Sequence, residues 1–478
     1  MSQTIPPEIL RFSENIGNFA LVIKGEPGSG KTIFSLQYIA EQSEKKSGIY
    51  FSTRVDIDSL YSQFPWIKES IPPENIVDAT QSILPKKMEV PQFIKFSSLP
   101  EFLKGLYTAI EEKRTEKFSP IVVVDSIDAV ASSVGLPVED VCAKIIDVAK
   151  GAEVGVIIIT ERTERTALDY ICDGVVTFKR KLIDERLFRE LVIEKLRGVE
   201  IENPIYYFTL HGGKFRYFDE FRPIELTTFI HEPHPPVRDG KGTKFYEKNM
   251  FSTGSKIIDK IVGGYKRGSF VFLEVTGEVP PEFIVENIAG VPVENFLMQD
   301  RGVIIVPCKG LSPLYFFEFY AALVGREKVQ KNCKIIIPSE DKDVEKRFPW
   351  LVYTSYRVDH FVNTVNSIIN EFKREKEDNV LLFLCFDKIE SDFGSRGAEK
   401  IAMKIISRVK FEKDLCIGTA FPSTKIDVKL REAADYFFKT FGKKGRVFIY
   451  GVSPPTVIYN ANIDFSRPHP TLYFTPIT

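Results

Sequence analysis

Apolar runs alternate with segments of helical spacing along the whole chain, and this alternation predicts the fold class. Continuous Val, Ile and Leu without polar alternation is typical of strands buried on both faces, as in parallel sheets covered by helices. Six such runs are FALVIKG (residues 19–25), SPIVVVD (119–125), VGVIIIT (154–160), FVFLEV (270–275), GVIIVP (302–307) and NVLLFLCF (379–386). Residues 100–117 and 359–377 between them carry helical spacing. We therefore expect an α/β, doubly wound architecture with mostly parallel sheet flanked by helices.

The chain reads as two diverged copies joined by a linker. The stretch HEPHPPVRDGKGTK (residues 231–244) is rich in Pro, Gly and charge, which is typical of a linker. Residues 48–61 align with 302–315 without gaps, and residues 168–179 resemble 433–441 in the same order. The prediction is a first domain over 1–228, a linker over 229–250 and a second domain over 251–478.

The segment GEPGSGKT fits the phosphate-binding pattern G-x-x-x-x-G-K-[ST], and it follows an apolar strand and precedes a helical segment. Glycines let the backbone curl so that its N–H groups converge on phosphate oxygens, and the helix N-terminus adds partial positive charge. In such a loop the lysine reaches the β- and γ-phosphates and the hydroxyl binds Mg²⁺. The predicted nucleotide-binding residues are Gly25, Glu26, Pro27, Gly28, Ser29, Gly30, Lys31 and Thr32.

A phosphate-binding loop also needs an acidic residue at the end of a neighbouring strand. IVVVDSIDAV supplies Asp125 directly after four apolar residues. We expect Asp125 to hold the metal together with Thr32, so the predicted cofactors are ATP and Mg²⁺. Asp128 is less well placed and reads as a residue of a helix start.

The order of these motifs resembles one ATPase family. The P-loop, a strand beginning GIYFS, the strand ending IVVVDS, then ICDGVV and EKLRG are similar to RecA-superfamily ATPases of the KaiC and archaeal RadA-paralogue type. Residues 251–275 resemble the entry segment of the same family. The resemblance implies two tandem RecA-like P-loop domains. Within the group, KGEPGSGKT and STRVD look most like archaeal GvpD-type proteins, which are named for gas-vesicle regulation.

The sequence departs from this family at two places. The family's water-polarising glutamate falls on the segment Ser52-Thr53-Arg54-Val55, while Asp56 and Asp58 are displaced. Hydrolysis, if any, is then expected to be weak. In the second domain the P-loop positions fall on Pro280 to Ile284 and the metal-binding position falls on Cys385. Proline removes N–H donors, so we expect a degenerate second domain that serves as a scaffold or partner surface.

EKLRG resembles the family's Lys-x-Arg-Gly element, which reaches across a subunit interface to the neighbour's γ-phosphate. The resemblance implies that Lys195 and Arg197 act catalytically in trans, together with Lys31 of the neighbouring loop. The two cations are two residues apart on a predicted strand and therefore share one side. The alternative is a pair of surface cations on an edge strand.

Composition narrows the function classes. Hydrophobic residues make up 44% and charged residues 27% of the 478 residues, as in a folded protein, and the formal net charge is −1. An even balance argues against nucleic acid held by bulk positive charge. No apolar run approaches a membrane span, and the six cysteines form no C-x-x-C pair. We expect a cytoplasmic, reduced protein without membrane contact or disulfide framework.

Three functions remain open. The leading hypothesis is an ATP-binding regulatory protein with one active Mg·ATP site per chain and slow hydrolysis. Its nucleotide state would control assembly as a ring or dimer and binding of a protein partner. One alternative is an accessory ATPase of DNA recombination or repair resembling the RadA paralogues, in which DNA is a partner. The other is a ring-forming motor ATPase, which the missing glutamate disfavours.

Overall fold

The computed structural model describes residues 4–42, 48–80, 93–115, 120–224, 236–238, 249–286, 289–339, 348–466 and 470–478. The contacts between these residues divide the chain into two compact units, residues 1–218 with 476–478 and residues 219–475. The predicted linker, residues 229–250, lies largely outside the described residues. No described helix has both the length and the apolar character that a membrane crossing requires.

The first unit is built on one large sheet with strand order β3-β2-β4-β5-β1-β6-β7-β8-β9. Strands β1 to β6 are parallel where they pair, and β6 to β9 extend the sheet as antiparallel neighbours. Its elements are α1 (Pro7–Asn15), β1 (Ala20–Gly25), α2 (Lys31–Gln42), β2 (Gly48–Ser52), α3 (Ile57–Gln63), α4 (Ile67–Ser70), β3 (Ile76–Asp78), α5 (Leu99–Lys113), β4 (Ile121–Asp125), α6 (Ile127–Val134), α7 (Val138–Gly151), β5 (Gly155–Thr160), α8 (Leu168–Ile171), β6 (Gly174–Ile183), β7 (Arg186–Leu196), β8 (Ile205–Thr209) and β9 (Arg216–Tyr217).

Burial on both faces explains why the strands read as unbroken apolar runs. Along β1, Leu21 and Ile23 pack into one core while Ala20 and Val22 pack into the other. Helices cover both cores because each presents an apolar stripe. In α5 the buried side chains Phe102, Leu106, Ala109 and Ile110 recur at helical spacing.

The second unit repeats this arrangement with the order β15-β14-β13-β16-β17-β12-β18-β19-β20-β21, next to a small β10-β11 sheet. Its elements are β10 (Met250–Phe251), α9 (Lys256–Val262), β11 (Tyr265–Lys266), β12 (Phe270–Val275), α10 (Pro281–Glu286), α11 (Gly290–Met298), β13 (Val303–Val306), α12 (Pro313–Val324), α13 (Arg326–Asn332), β14 (Cys333–Pro338), β15 (Leu351–Thr354), α14 (Val358–Lys376), β16 (Leu381–Cys385), α15 (Phe386–Glu412), β17 (Leu415–Ala420), α16 (Asp427–Ala433), β18 (Tyr436–Lys443), β19 (Arg446–Ser453), β20 (Tyr459–Asp464) and β21 (Thr471–Pro476).

Nine strands of the second sheet correspond to those of the first, with β12 in the place of β1 and β16 in the place of β4, and β15 is an additional edge strand. Even an irregularity recurs, because the β6–β7 ladder shifts after Val175 and the β18–β19 ladder shifts after Phe437, which occupy matching positions beside β1 and β12. The predicted fold class of two mostly parallel sheets flanked by helices is therefore confirmed.

Strand register corrects one detail of the internal alignment. Gly48 lies beside Ile121, and Val303 lies beside Leu381, the residue that matches Ile121 in the second unit. Gly48 thus corresponds to Val303, and the gapless alignment of residues 48–61 with 302–315 is wrong by one residue. Core faces agree, because Ile49 and Ile304 occupy corresponding cores.

Each unit holds an ion pair at the same place, with the charges inverted. Lys24, near the end of β1, has a side chain only 1% exposed, and its Nζ lies 2.9 Å from Asp169 of α8. At the matching position of β12, the buried Glu274 pairs at 2.5 Å with Arg431 of α16. An ammonium buried without its carboxylate would lose its compensation, so both pairs tie the central strand to the helix before β6 or β18.

We expect Lys24→Met to lower the free energy of unfolding of the first unit by about 3 kcal/mol, because the carboxylate of Asp169 would lose its counter-charge in a poorly solvated site. Urea unfolding measures this free energy, with Trp66 as the fluorescent probe in a Trp350→Phe background. The matched control is Arg11→Met, which removes an exposed ion pair with Glu202 and should lower the free energy of unfolding much less than Lys24→Met does. Equal effects for the two variants would contradict the assigned role of Lys24.

Candidate nucleotide-binding site

The loop after β1 has the backbone shape that its glycines allow. Gly28 and Gly30 adopt positive φ angles of 75° and 106°, a region that favours glycine. At Gly25 a Cβ atom would stand 2.7 Å from the carbonyl oxygen of Phe178. Helix α2 begins at Lys31, directly after the loop. The predicted segment Gly25 to Thr32 therefore forms a strand–loop–helix turn with its helix N-terminus at the loop.

Lys31 lies inside this loop. Its Nζ donates to the carbonyl oxygens of Gly25 at 2.5 Å and Glu26 at 2.9 Å. Burial lowers the pKa of the Lys31 ammonium, and the carboxylate of Asp125 opposes that shift. The ammonium is thus held at the loop by carbonyl oxygens, and a phosphate group can offer it a stronger, charged acceptor.

The two predicted metal-binding residues meet in the structure. The Oγ1 of Thr32 donates to Oδ2 of Asp125 at 2.6 Å, and the hydroxyl of Tyr50 donates to the same oxygen at 2.5 Å. Burial and the Asp125 carboxylate raise the pKa of Tyr50 well above its ordinary value, so Tyr50 is a neutral donor. A hydroxyl and a carboxylate at one point are hard oxygen ligands, which fit Mg²⁺.

A cavity of about 440 Å³ opens beside these groups. Its lining includes Lys31, Thr32 and Asp125, together with Arg54 after β2 and Glu161 after β5. Arg54 and Glu161 form an ion pair with each other. Since β4 lies between β2 and β5 in the sheet, this pair spans the strand that ends at Asp125.

The hairpin of β6 and β7 supports the loop from outside the cavity. The buried Arg189 donates from Nη1 to the carbonyl oxygens of Gly28 and Ser29, at 3.1 and 3.2 Å. Burial, with the charge of Arg180, lowers the pKa of Arg189 to about 10. Arg189 thus holds two carbonyl oxygens of the loop in place.

Lys195 and Arg197 do not reach the P-loop of their own chain. Lys195 lies level with Val22 of β1 through its partner Val175, three residues or about 10 Å before Gly25 along the strand. Its Nζ donates to the carbonyl oxygens of Asp169 and Cys172. The pair therefore lies back along the strands from the loop, and action on a neighbouring chain stays a prediction.

Arg197 follows the end of β7 and is half exposed. Its Nη1 lies 2.9 Å from Oδ1 of Asp173. The same carboxylate accepts the backbone N–H of Ala20, so Arg197 and Lys195 both contact the corner between α8 and β6.

The corresponding region of the second unit is closed. Ile284 and Pro281 line a cavity of only about 10 Å³, which is room for about one water molecule. Cys308 and Cys385 are joined by a disulfide bond there, and Cys385 occupies the strand position of Asp125. The expectation of a reduced chain is wrong at this pair. Cys142, Cys172, Cys333 and Cys416 are free and buried.

Sequence reasoning did not find Tyr50, Glu161 or Arg189 as site residues. The sequence did contain a signal for Glu161. It directly follows an apolar strand, and parallel strands carry their functional side chains at that end. Tyr50 sits inside a strand, and Arg189 is one of several cations in the hairpin, so neither pattern distinguished them.

Comparison with known proteins agrees with this geometry. Residues 10–194 match the family described as GvpD gas vesicle protein, P-loop domain. Protein GvpD2 of Halobacterium salinarum is 26% identical over 98% of this chain and 96% of its own length. Protein GvpD1 of the same organism is 30% identical over 64% of this chain and 57% of its own length. A UPF0273 protein of Pyrococcus furiosus is 25% identical over 37% of this chain and 76% of its own length.

The fold and the loop define the first unit as a P-loop α/β domain of the nucleotide-binding class. The matched residues 10–194 contain that loop, Asp125 and most of the sheet that holds them. Residues 10–194 match the family of GvpD P-loop domains, and the resemblance to GvpD-type proteins is confirmed. Over nearly its full length the chain is similar to GvpD2.

We expect calorimetric titration with Mg·ADP to give about one nucleotide per chain, because the second-unit cavity is too small for a ligand of that size. Lys31→Ala should abolish most of this binding, since it deletes the loop ammonium. The matched control is Lys309→Ala, which removes the cation that lines the closed cavity of the second unit and should leave binding unchanged. A stoichiometry near two would contradict the assignment of a single site.

Proposed function

We propose that this chain is an ATP-binding regulatory switch. One Mg·ATP site in the first unit hydrolyses slowly, and its nucleotide state controls self-assembly and binding of a protein partner. The observation that carries the proposal is the convergence of Lys31, Thr32 and Asp125 on one cavity. The match to a GvpD gas vesicle protein domain supports a role for this switch among gas vesicle proteins.

Within the site each residue has a defined task. The loop N–H groups and Lys31 bind and orient phosphate oxygens. Thr32 and Asp125 would hold Mg²⁺, which when bound neutralises phosphate charge. Tyr50 keeps the Asp125 carboxylate oriented through its hydroxyl, and Arg189 keeps the loop in shape.

Slow turnover follows from the residues after β2. No carboxylate follows that strand directly: Arg54 lies at the cavity, and Asp56 caps α3 by accepting the N–H of Ser59 at 2.9 Å. A side chain engaged in a helix cap is not positioned to orient water. The site therefore holds nucleotide more readily than it consumes it, as a switch requires.

Assembly is the proposed output of the switch. Lys195 and Arg197 lie away from their own loop, at the corner between α8 and β6. A second chain is thus the partner to which these cations can present charge. An oligomer in which they contact the neighbour's γ-phosphate would distinguish ATP from ADP.

We expect ATP turnover below about 0.1 per second, whereas enzymes typically reach about 10 per second. The reason is that Arg54 occupies the place where a water-orienting carboxylate would be needed. Phosphate release measures the rate, with Lys31→Ala as the background control. A rate near the typical enzyme value, abolished by Lys31→Ala, would rule out the slow-switch proposal.

For assembly, we expect a non-hydrolysable ATP analogue to raise the particle mass measured by light scattering, and ADP to leave it low. Arg197→Ala should reduce that response because it removes a charge-assisted contact, which is worth about 1.5–3 kcal/mol. The matched control is Lys150→Ala, which removes the other cation near Asp173, at 3.7 Å, and should respond like the wild type. If Arg197→Ala also responds like the wild type, the in-trans role is wrong.

A further inference from the structure

The ion pair of Arg54 and Glu161 lies in the nucleotide cavity and has no task in the binding of phosphate or metal described above. Both residues line the cavity, one after β2 and the other after β5. They bridge the strand that ends at Asp125, the residue that contacts Thr32. Among the described residues, the pair therefore brings a positive and a negative side chain to the metal side of the loop.

The ion pair of Arg54 and Glu161 contributes little to the stability of the fold. The side chain of Arg54 is 50% exposed and that of Glu161 is 32% exposed. Ion pairs with that much solvent contribute little, because water screens the attraction and the side chains lose freedom. The pair can consequently open at low cost when a better partner enters the cavity.

Comparison of the two units links the pair to the intact loop. By strand register, Lys309 stands in the second unit where Arg54 stands in the first. The position of Glu161 is taken there by Phe421, because Thr160 and Ala420 hold matching places beside β1 and β12. Thus the cation and carboxylate occur together only in the unit that also keeps the glycine-rich loop.

We propose that, within the site of a single chain, Arg54 distinguishes a nucleoside triphosphate from a diphosphate, and that Glu161 competes with the phosphate for Arg54. This inference rests on the proposed nucleotide function. A guanidinium makes paired hydrogen bonds with phosphate as readily as with carboxylate. When a terminal phosphate is present, Arg54 leaves Glu161 for it; with a diphosphate, Arg54 stays with Glu161.

Competition between Glu161 and the terminal phosphate for Arg54 has a consequence that would be absent if Arg54 bound phosphate without a competing partner. Glu161 lowers the gain that Arg54 makes on meeting the phosphate, because an existing ion pair must open first. Removing the carboxylate should therefore strengthen triphosphate binding and leave diphosphate binding nearly unchanged. The effect must vanish when Arg54 is absent, since Glu161 acts only through it.

Calorimetry with Mg·ADP and with a non-hydrolysable Mg·ATP analogue tests this inference on the full chain. The measured quantity is the ratio of the two dissociation constants, ADP over analogue. Arg54→Ala should lower the ratio about tenfold, and Glu161→Gln should raise it about threefold, in line with one charge-assisted contact. The double variant should match Arg54→Ala.

The matched control is Arg162→Ala, which removes a neighbouring arginine that pairs with Glu139 at 2.6 Å and does not line the cavity. Its ratio should equal that of the wild type. An unchanged ratio in Arg54→Ala, or a ratio in Glu161→Gln that does not rise, overturns the inference while nucleotide binding itself stands. Failure of the wild type to bind either nucleotide instead overturns the proposed function.

Discussion

The register of four parallel strands, β2, β4, β5 and β1, positions the charged groups at the nucleotide cavity. Parallel strands deliver all their carboxyl ends to one edge of a sheet. Asp125 ends β4 beside Ser52 of β2, so Thr32, which follows the loop after β1, meets its carboxylate across the edge. A shift of one residue in any of these strands would move a site residue to the other face.

The comparison of the two units shows that the core and the site are separable. Both units keep the strand order, the ladder shift and a central ion pair, although that pair is Lys24 with Asp169 in one and Glu274 with Arg431 in the other. A buried charge at this position needs an opposite charge of suitable size beside it, and either order of the two charges meets that need. At the edge, by contrast, prolines, apolar side chains and a disulfide fill the space that a phosphate would need.

In the first unit, the charged side chains at the carboxyl ends of the strands each have a partner within the site. Lys31 is held by carbonyl oxygens, Asp125 is held by two hydroxyl groups, and Arg54 is held by Glu161. A phosphate oxygen would be a stronger partner for Lys31 than neutral carbonyl oxygens are, and Mg²⁺ would be the stronger partner for Asp125. Lys31 and Asp125 are thus positioned beforehand, which reduces the reorganisation that binding requires, whereas Arg54 must first leave Glu161.

The sequence alone determined the features whose cause is local. Unbroken apolar runs predicted strands buried on both faces, and the glycines from Gly25 to Gly30 predicted the loop, because backbone conformation there depends on those residues themselves. Asp125 was found because it directly ends such a run. Tertiary structure alone decided the ion pair of Arg54 and Glu161 and the bond between Cys308 and Cys385. It also decided that Val303, and not Gly302, corresponds to Gly48. These depend on which strands become neighbours, and residues far apart in the chain leave no local pattern of their pairing.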